Sequence, residues 1–130
     1  MNSTTGGPYT YDISDHHFWG TAFDGSWIDT RSACCGSAGD CRDNPSCVCQ
    51  YQVGPLPPGT YSLGNMFTYK GMPYCYELYP SASNDMCGRG GFLIHGGDCY
   101  SGNPSIGCIV IPDQNTRYMI KSGATLYVQK

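Results

Sequence analysis

Phe92-Leu93-Ile94-His95-Gly96-Gly97, followed by Ser105-Ile106-Gly107-Cys108-Ile109-Val110-Ile111, is the stretch from which the fold reads. Gly91 to Ile94 and Cys108 to Ile111 are compact apolar runs bounded by glycine and proline, the pattern of buried strands. Each carries a reactive side chain at one end: His95 closes the first run and Cys108 opens the second. That arrangement suits acyl chemistry, in which a thiolate attacks and an adjacent imidazole lowers the thiol pKa or accepts its proton. Glycine beside the cysteine lets a substrate carbonyl approach. The amides of Gly107 and Cys108 are then expected to face a developing oxyanion. The competing reading makes Cys108 one more bridged or buried cysteine and His95 a satisfied structural histidine.

Working outward, further strand signals surround this pair. Thr60 to Leu63 follows Pro57-Pro58-Gly59, and Met72 to Tyr79 sets Tyr74, Tyr76 and Leu78 on one face. Tyr118-Met119-Ile120 and Thr125 to Val128 flank Lys121-Ser122-Gly123-Ala124 and read as a closing hairpin. Asp12-Ile13 and Trp27-Ile28 read as an opening pair. There is no long helical period and no internal repeat. The expectation is a mainly β sandwich or barrel with short helices, forming one domain over residues 1–130.

Composition narrows the class. The chain has 130 residues with Gly 18, Pro 9 and an odd nine cysteines, and a net charge of −3. Its pI is about 5.3 and it has no basic cluster, so nucleic acid is not an expected partner. No apolar run approaches the roughly 20 residues of a membrane helix, so no membrane partner is expected. Cysteine at this density points to an oxidising compartment. The N-terminus has neither a basic nor an apolar leader region, so a mature form is expected. The loop 32–49 holds Cys34, Cys35, Cys41, Cys47 and Cys49 with almost no large apolar residues, so covalent staples are its natural support. Cys-Cys and Cys-x-Cys spacings do not match paired zinc knuckles, which favours disulfides over metal. Asp15-His16-His17 is a weak metal candidate, because adjacent histidines on a strand point to opposite faces. No metal and no cofactor is expected. Tyr69, Tyr74 and Tyr76 are either groove-lining or half-buried sheet residues.

His95-Gly96 with Ser105-Ile106-Gly107-Cys108-Ile109-Val110 resembles the His-Gly … Ser-x-Gly-Cys signature of L,D-transpeptidase catalytic domains. Upstream, Asn44-Pro45 and Val53-Gly54-Pro55-Leu56-Pro57-Pro58-Gly59-Thr60-Tyr61 are similar to the Asn-Pro … Gly-Pro-Ile-Pro-x-Gly-Thr-Tyr block of one branch. That branch is the small L,D-transpeptidase-like effectors that bacteria deliver into the periplasm of rivals. The resemblance implies an L,D-transpeptidase-like β-sandwich acting on peptidoglycan stem peptides, as an L,D-carboxypeptidase, a transpeptidase or a D-amino-acid exchanger. It implies Cys108 as nucleophile, His95 as base and then acid, Ser105 as a hydrogen-bonding partner within the site, and Gly107 in the oxyanion pocket. Gly96, Arg89, Asp98 and Tyr100 are the expected substrate-facing residues.

The chain departs from the pattern in places. Many cell-wall members have an arginine soon after the cysteine, where Val110 and Ile111 stand here; Arg89 or Arg117 is the candidate replacement. Asp98 is also a candidate to orient His95. Bacterial members are poor in cysteine, and with Cys108 reserved as nucleophile, Cys34, Cys35, Cys41, Cys47, Cys49, Cys75, Cys87 and Cys99 are expected to form four bridges. A secreted or periplasm-delivered, antibacterial, monomeric enzyme is the leading expectation. The alternative is a non-enzymatic, disulfide-stapled wall-binding module or inhibitor with a silent Cys108. A reactive thiol at Cys108 separates the two.

Overall fold

The structure, a computed structural model, describes residues 5–99 and 105–130; Tyr100 lies outside the described residues. Nine strands are formed: β1 (Tyr9–Asp12), β2 (His17–Thr21), β3 (Trp27–Thr30), β4 (Cys34–Cys35), β5 (Gly59–Tyr69), β6 (Met72–Pro80), β7 (Leu93–His95), β8 (Ile109–Val110) and β9 (Thr125–Gln129). A 3₁₀ turn at Pro45–Cys47 and a five-residue helix, α1 (Gln114–Tyr118), complete the described elements. The strands form one sheet in the order β3-β2-β1-β9-β5-β6-β7-β8-β4. Neighbours are antiparallel except β1 with β9 and β7 with β8, which run parallel.

The sheet curls, as its core requires. Phe18 and Ile28 near one edge share a single buried cluster with Ile94 and Ile109 near the other. Flat sheets do not bring distant strands onto one core, whereas twisted ones do. Alternation is visible along β9, where Leu126 and Val128 are buried and Tyr127 and Gln129 are exposed. The mainly β expectation and the stapled loop are both met.

Two element readings are corrected. Tyr118 is not part of a hairpin strand: Asp113 caps a helix by accepting from the Thr116 amide at 3.2 Å and its hydroxyl at 2.6 Å. The buried Tyr76 hydroxyl donates toward the Arg117 and Ile120 carbonyls, at 2.6 and 3.0 Å, and holds the far end of this helix. β9 instead lies between β1 and β5. Likewise Asp12 and Trp27 do not belong to directly paired strands, because β2 is inserted between β1 and β3. Within β2, Phe18 is buried while His17 and Trp19 are half-buried, their rings 4.4 Å apart and tilted by 35°. The two histidines weighed as ligands have other partners: His16 bonds the Arg31 carbonyl and His17 bonds Asp29 at 2.6 Å.

The cysteine pairing also differs from expectation. The bridges are Cys34–Cys99, Cys41–Cys47 and Cys49–Cys87, while Cys35, Cys75 and Cys108 are free thiols. The reason for Cys35 is geometric. Successive strand residues point to opposite faces, so Cys34 meets Cys99 and Val110 while Cys35 enters the main core. There its thiol approaches the Gly107 carbonyl at 2.9 Å. Cys75 is buried on β6, with its thiol toward the Met72 carbonyl at 3.4 Å.

Candidate active site

The parallel β7–β8 ladder builds the site. Ile94 pairs with Ile109 and His95 with Val110, which sets Cys108 beside Leu93 at the entrance of β8. The Leu93 amide donates to Cys108 Sγ at 3.3 Å. Both His95 and Cys108 line one cavity of about 580 Å³, together with Tyr69, Lys70, Ser105 and Asp98. A smaller cavity of about 150 Å³ touches Cys108 from the side of Tyr51, Arg89 and Phe92. The half-buried Cys108 therefore opens on two spaces.

His95 is buried, and its Nδ1 lies 2.7 Å from the Gly96 carbonyl. A carbonyl only accepts, so the neutral ring carries its proton on Nδ1 and keeps a lone pair on Nε2. Asp98 lines the cavity, but the partner at Nδ1 is this main-chain carbonyl. Burial lowers the His95 pKa below its ordinary 6.5, and the charges of Arg117 and Lys70 lower it further against the Gly96 bond. Burial raises the Cys108 thiol above 9.0, opposed by the Leu93 amide and the Arg89 charge. Both shifts favour the uncharged forms, thiol and neutral imidazole.

Ser105 closes the turn that leads to Cys108. Its hydroxyl accepts from the Gly107 amide at 3.0 Å and donates to the Cys108 carbonyl at 2.7 Å. This corrects one expectation: the Gly107 amide is used inside the turn and does not face an oxyanion. Gly107 is needed for another reason. It sits at φ +144°, and a Cβ there would lie 2.5 Å from the Phe92 ring and 2.7 Å from the Arg89 guanidinium. Gly96 is similar, since a Cβ would fall 2.6 Å from the Arg117 guanidinium.

Both candidate arginines spend their donors on main-chain carbonyls. Arg89 is 7% exposed and donates to the carbonyls of Val48 and Pro55 through Nη1, and of Gly54 and Ile106 through Nη2. It thereby ties the stapled loop, the Gly-Pro block and the Cys108 turn together, with its guanidinium over the Phe92 ring. Arg117 is 3% exposed and donates to Ile111, Pro112, Pro73 and Tyr74 carbonyls. The upstream block has a structural meaning too. Asn44 caps the Pro45–Cys47 turn through the Ser46 amide, and Tyr61 donates to the Pro57 carbonyl at 2.6 Å. Gly54 passes so close to the Cys47 carbonyl that no side chain fits.

The residues missed in the sequence are Lys70, Met72 and Leu93, which line the larger cavity. Lys70-Gly71 between two alternating strands is a two-residue hairpin signal that would have placed Lys70 at a tip. Its closeness to His95 depends on strand order and had no local signal.

The curled sheet has the L,D-transpeptidase fold. L,D-transpeptidase 3 from Mycobacterium tuberculosis, solved with a faropenem-derived adduct, matches 94% of this chain and 59% of its own at 16% identity and TM-score 0.57. The L,D-transpeptidase from Mycobacterium smegmatis matches 94% of this chain and 58% of its own, at 18% identity and TM-score 0.53. An L,D-transpeptidase from Stackebrandtia nassauensis matches all of this chain and 58% of its own, at 19% identity and TM-score 0.53. The chain thus spans under two thirds of the length of these structures. No curated protein sequence matches it. Residues 31–127 match the Tlde1 domain, and the chain belongs to that effector family.

Proposed function

We propose that this protein is a cysteine acyl-enzyme acting on bacterial peptidoglycan stem peptides. The observation that carries the reading is the pair itself. Cys108 and His95 line one cavity, and His95 is held with Nδ1 protonated and Nε2 free to accept. Membership of the Tlde1 family supports the substrate class and an antibacterial role.

In this reading Cys108 Sγ attacks the carbonyl that joins the third stem residue to the terminal D-alanine. His95 Nε2 takes the thiol proton as the sulfur–carbon bond forms. The C–N bond then breaks, and the same proton passes to the departing D-alanine amine. A thioester on Cys108 remains. Water resolves it to a tripeptide, a stem-peptide amine resolves it to a cross-link, and a free D-amino acid resolves it to an exchanged stem. The fixed Leu93 amide stabilises negative charge on sulfur. Three disulfides suit a secreted protein, or one delivered to a target periplasm.

The test is incubation with tetrapeptide-containing muropeptides followed by mass analysis. Loss of D-alanine with wild type, and none with Cys108→Ala, is expected. Equal products with both proteins, or none with wild type, would refute the reading.

A further inference from the structure

Both arginines are occupied by main-chain carbonyls, and among the described residues the cation lining the larger cavity is Lys70. We propose that Lys70 is the carboxylate-binding residue of the site and selects stem peptides carrying a free carboxylate next to the reacting carbonyl. The inference rests on the proposed function and adds its specificity.

The hairpin explains why a surface lysine is well placed. Tyr69 pairs with Met72 across β5 and β6, leaving Lys70-Gly71 as a two-residue loop. Both have positive φ, 50° and 79°, which is a type I′ turn matched to the twist of its strands. Such a turn fixes the direction in which its residues leave the sheet. Tyr69 is thereby brought to 6.0 Å from the His95 ring, and Lys70 Nζ lies 5.3 Å from the centre of the Tyr69 ring. Tyr69, Lys70 and Met72 thus line the same cavity as His95 and Cys108. The charge of Lys70 is felt at His95, whose pKa it helps to lower.

A stem tetrapeptide offers two carboxylates near the scissile bond. One belongs to the terminal D-alanine, and the other to the side chain of the third residue when that is diaminopimelate. An ammonium on a fixed turn attracts either as a point charge without bidentate geometry.

The experiment measures binding and turnover of a diaminopimelate tetrapeptide in three forms: unmodified, amidated at the D-alanine carboxylate, and amidated at the third-residue side chain. Binding is measured in a Cys108→Ala background and KM and kcat in the active enzyme, each with Lys70 intact and with Lys70→Asn or Lys70→Arg. Asparagine tolerates the positive φ, so the turn is preserved. Lys70→Asn is expected to weaken binding and raise KM about fivefold for the unmodified peptide, the scale of one partly exposed ion pair. Lys70→Arg is expected to restore it. One amidated form should bind the protein with Lys70 intact as weakly as it binds the Lys70→Asn variant, which identifies the carboxylate. Equal loss with all three forms, or no loss with the unmodified one, overturns the inference. Lys70-dependent binding without turnover overturns the enzyme reading alone. Turnover with KM independent of Lys70 overturns this inference alone, and neither binding nor turnover overturns both.

Discussion

At the scale of the residue, the site is built from uncharged partners held ready. Burial raises the Cys108 thiol and lowers the His95 imidazolium, and both shifts work against a stored thiolate–imidazolium pair. The sign of the pH dependence follows. Alkylation needs thiolate, and the thiol titrates above 9.0, so the iodoacetamide rate at Cys108 should rise about tenfold per pH unit between about pH 7 and 9. A plateau near neutrality would show a preformed ion pair instead. Ser105 is the second residue-scale case. Its hydroxyl holds both the Gly107 amide and the Cys108 carbonyl, so Ser105→Ala should cost about 1–3 kcal/mol in chemical denaturation. It should also lower kcat more than it changes KM, because the turn that aims Cys108 loosens. That Cys108, His95 and Ser105 line one cavity was legible because their spacing is local. The task of Gly107 was not, because its amide partner is a side chain whose rotamer the sequence does not state.

At the scale of the element, short strands survive because the stapled loop and two buried arginines brace them. β7 and β8 have three and two residues, too few to persist alone. Cys34–Cys99 links the edge strand β4, which pairs with β8, to the segment after His95, closing a separation of 65 residues. Opening it by Cys34→Ala with Cys99→Ala should cost about 2–4 kcal/mol in a denaturant titration. An unchanged midpoint would mean that packing alone positions the loop. Arg89→Met removes the donor shared by four carbonyls from three segments, so it should lower the unfolding midpoint more than an exposed arginine substitution does. β6 was legible from alternation, and β5 only over Thr60 to Leu63 after the flanking proline and glycine; its second half, to Tyr69, was not. Helix α1 was not. Tyr118-Met119-Ile120 is apolar and suits a strand, and the opposing signal, Asp113 at an N-cap, is one residue. β2 was not read either: His16 sits in the turn before it and only His17 is on the strand, and reading the two together as metal candidates masked the alternation around Phe18.

At the scale of the whole molecule, one curled sheet brings its distant strands onto a shared core. Nine cysteines divide into six bridged and three free, of which Cys35 and Cys75 are buried. Native alkylation without reductant should therefore add one label, mapped to Cys108, and alkylation after unfolding should add labels at Cys35 and Cys75 as well. A single label in both states would restore the fourth bridge expected from composition. That bridge could not be judged from counting, since pairing depends on which face of β4 each cysteine takes. The fold class was legible because two signature blocks coincide in family order. The strand order, the bracing arginines and the place of Lys70 were not, because contacts between distant segments decide them. The central claim is covalent, and intact mass tests it most directly. Protein mixed with stem tetrapeptide and quenched in acid during turnover should carry a tripeptide acyl adduct that maps to Cys108 and is absent from Cys108→Ala. Release of D-alanine with no adduct on Cys108, or undiminished release by Cys108→Ala, would contradict it.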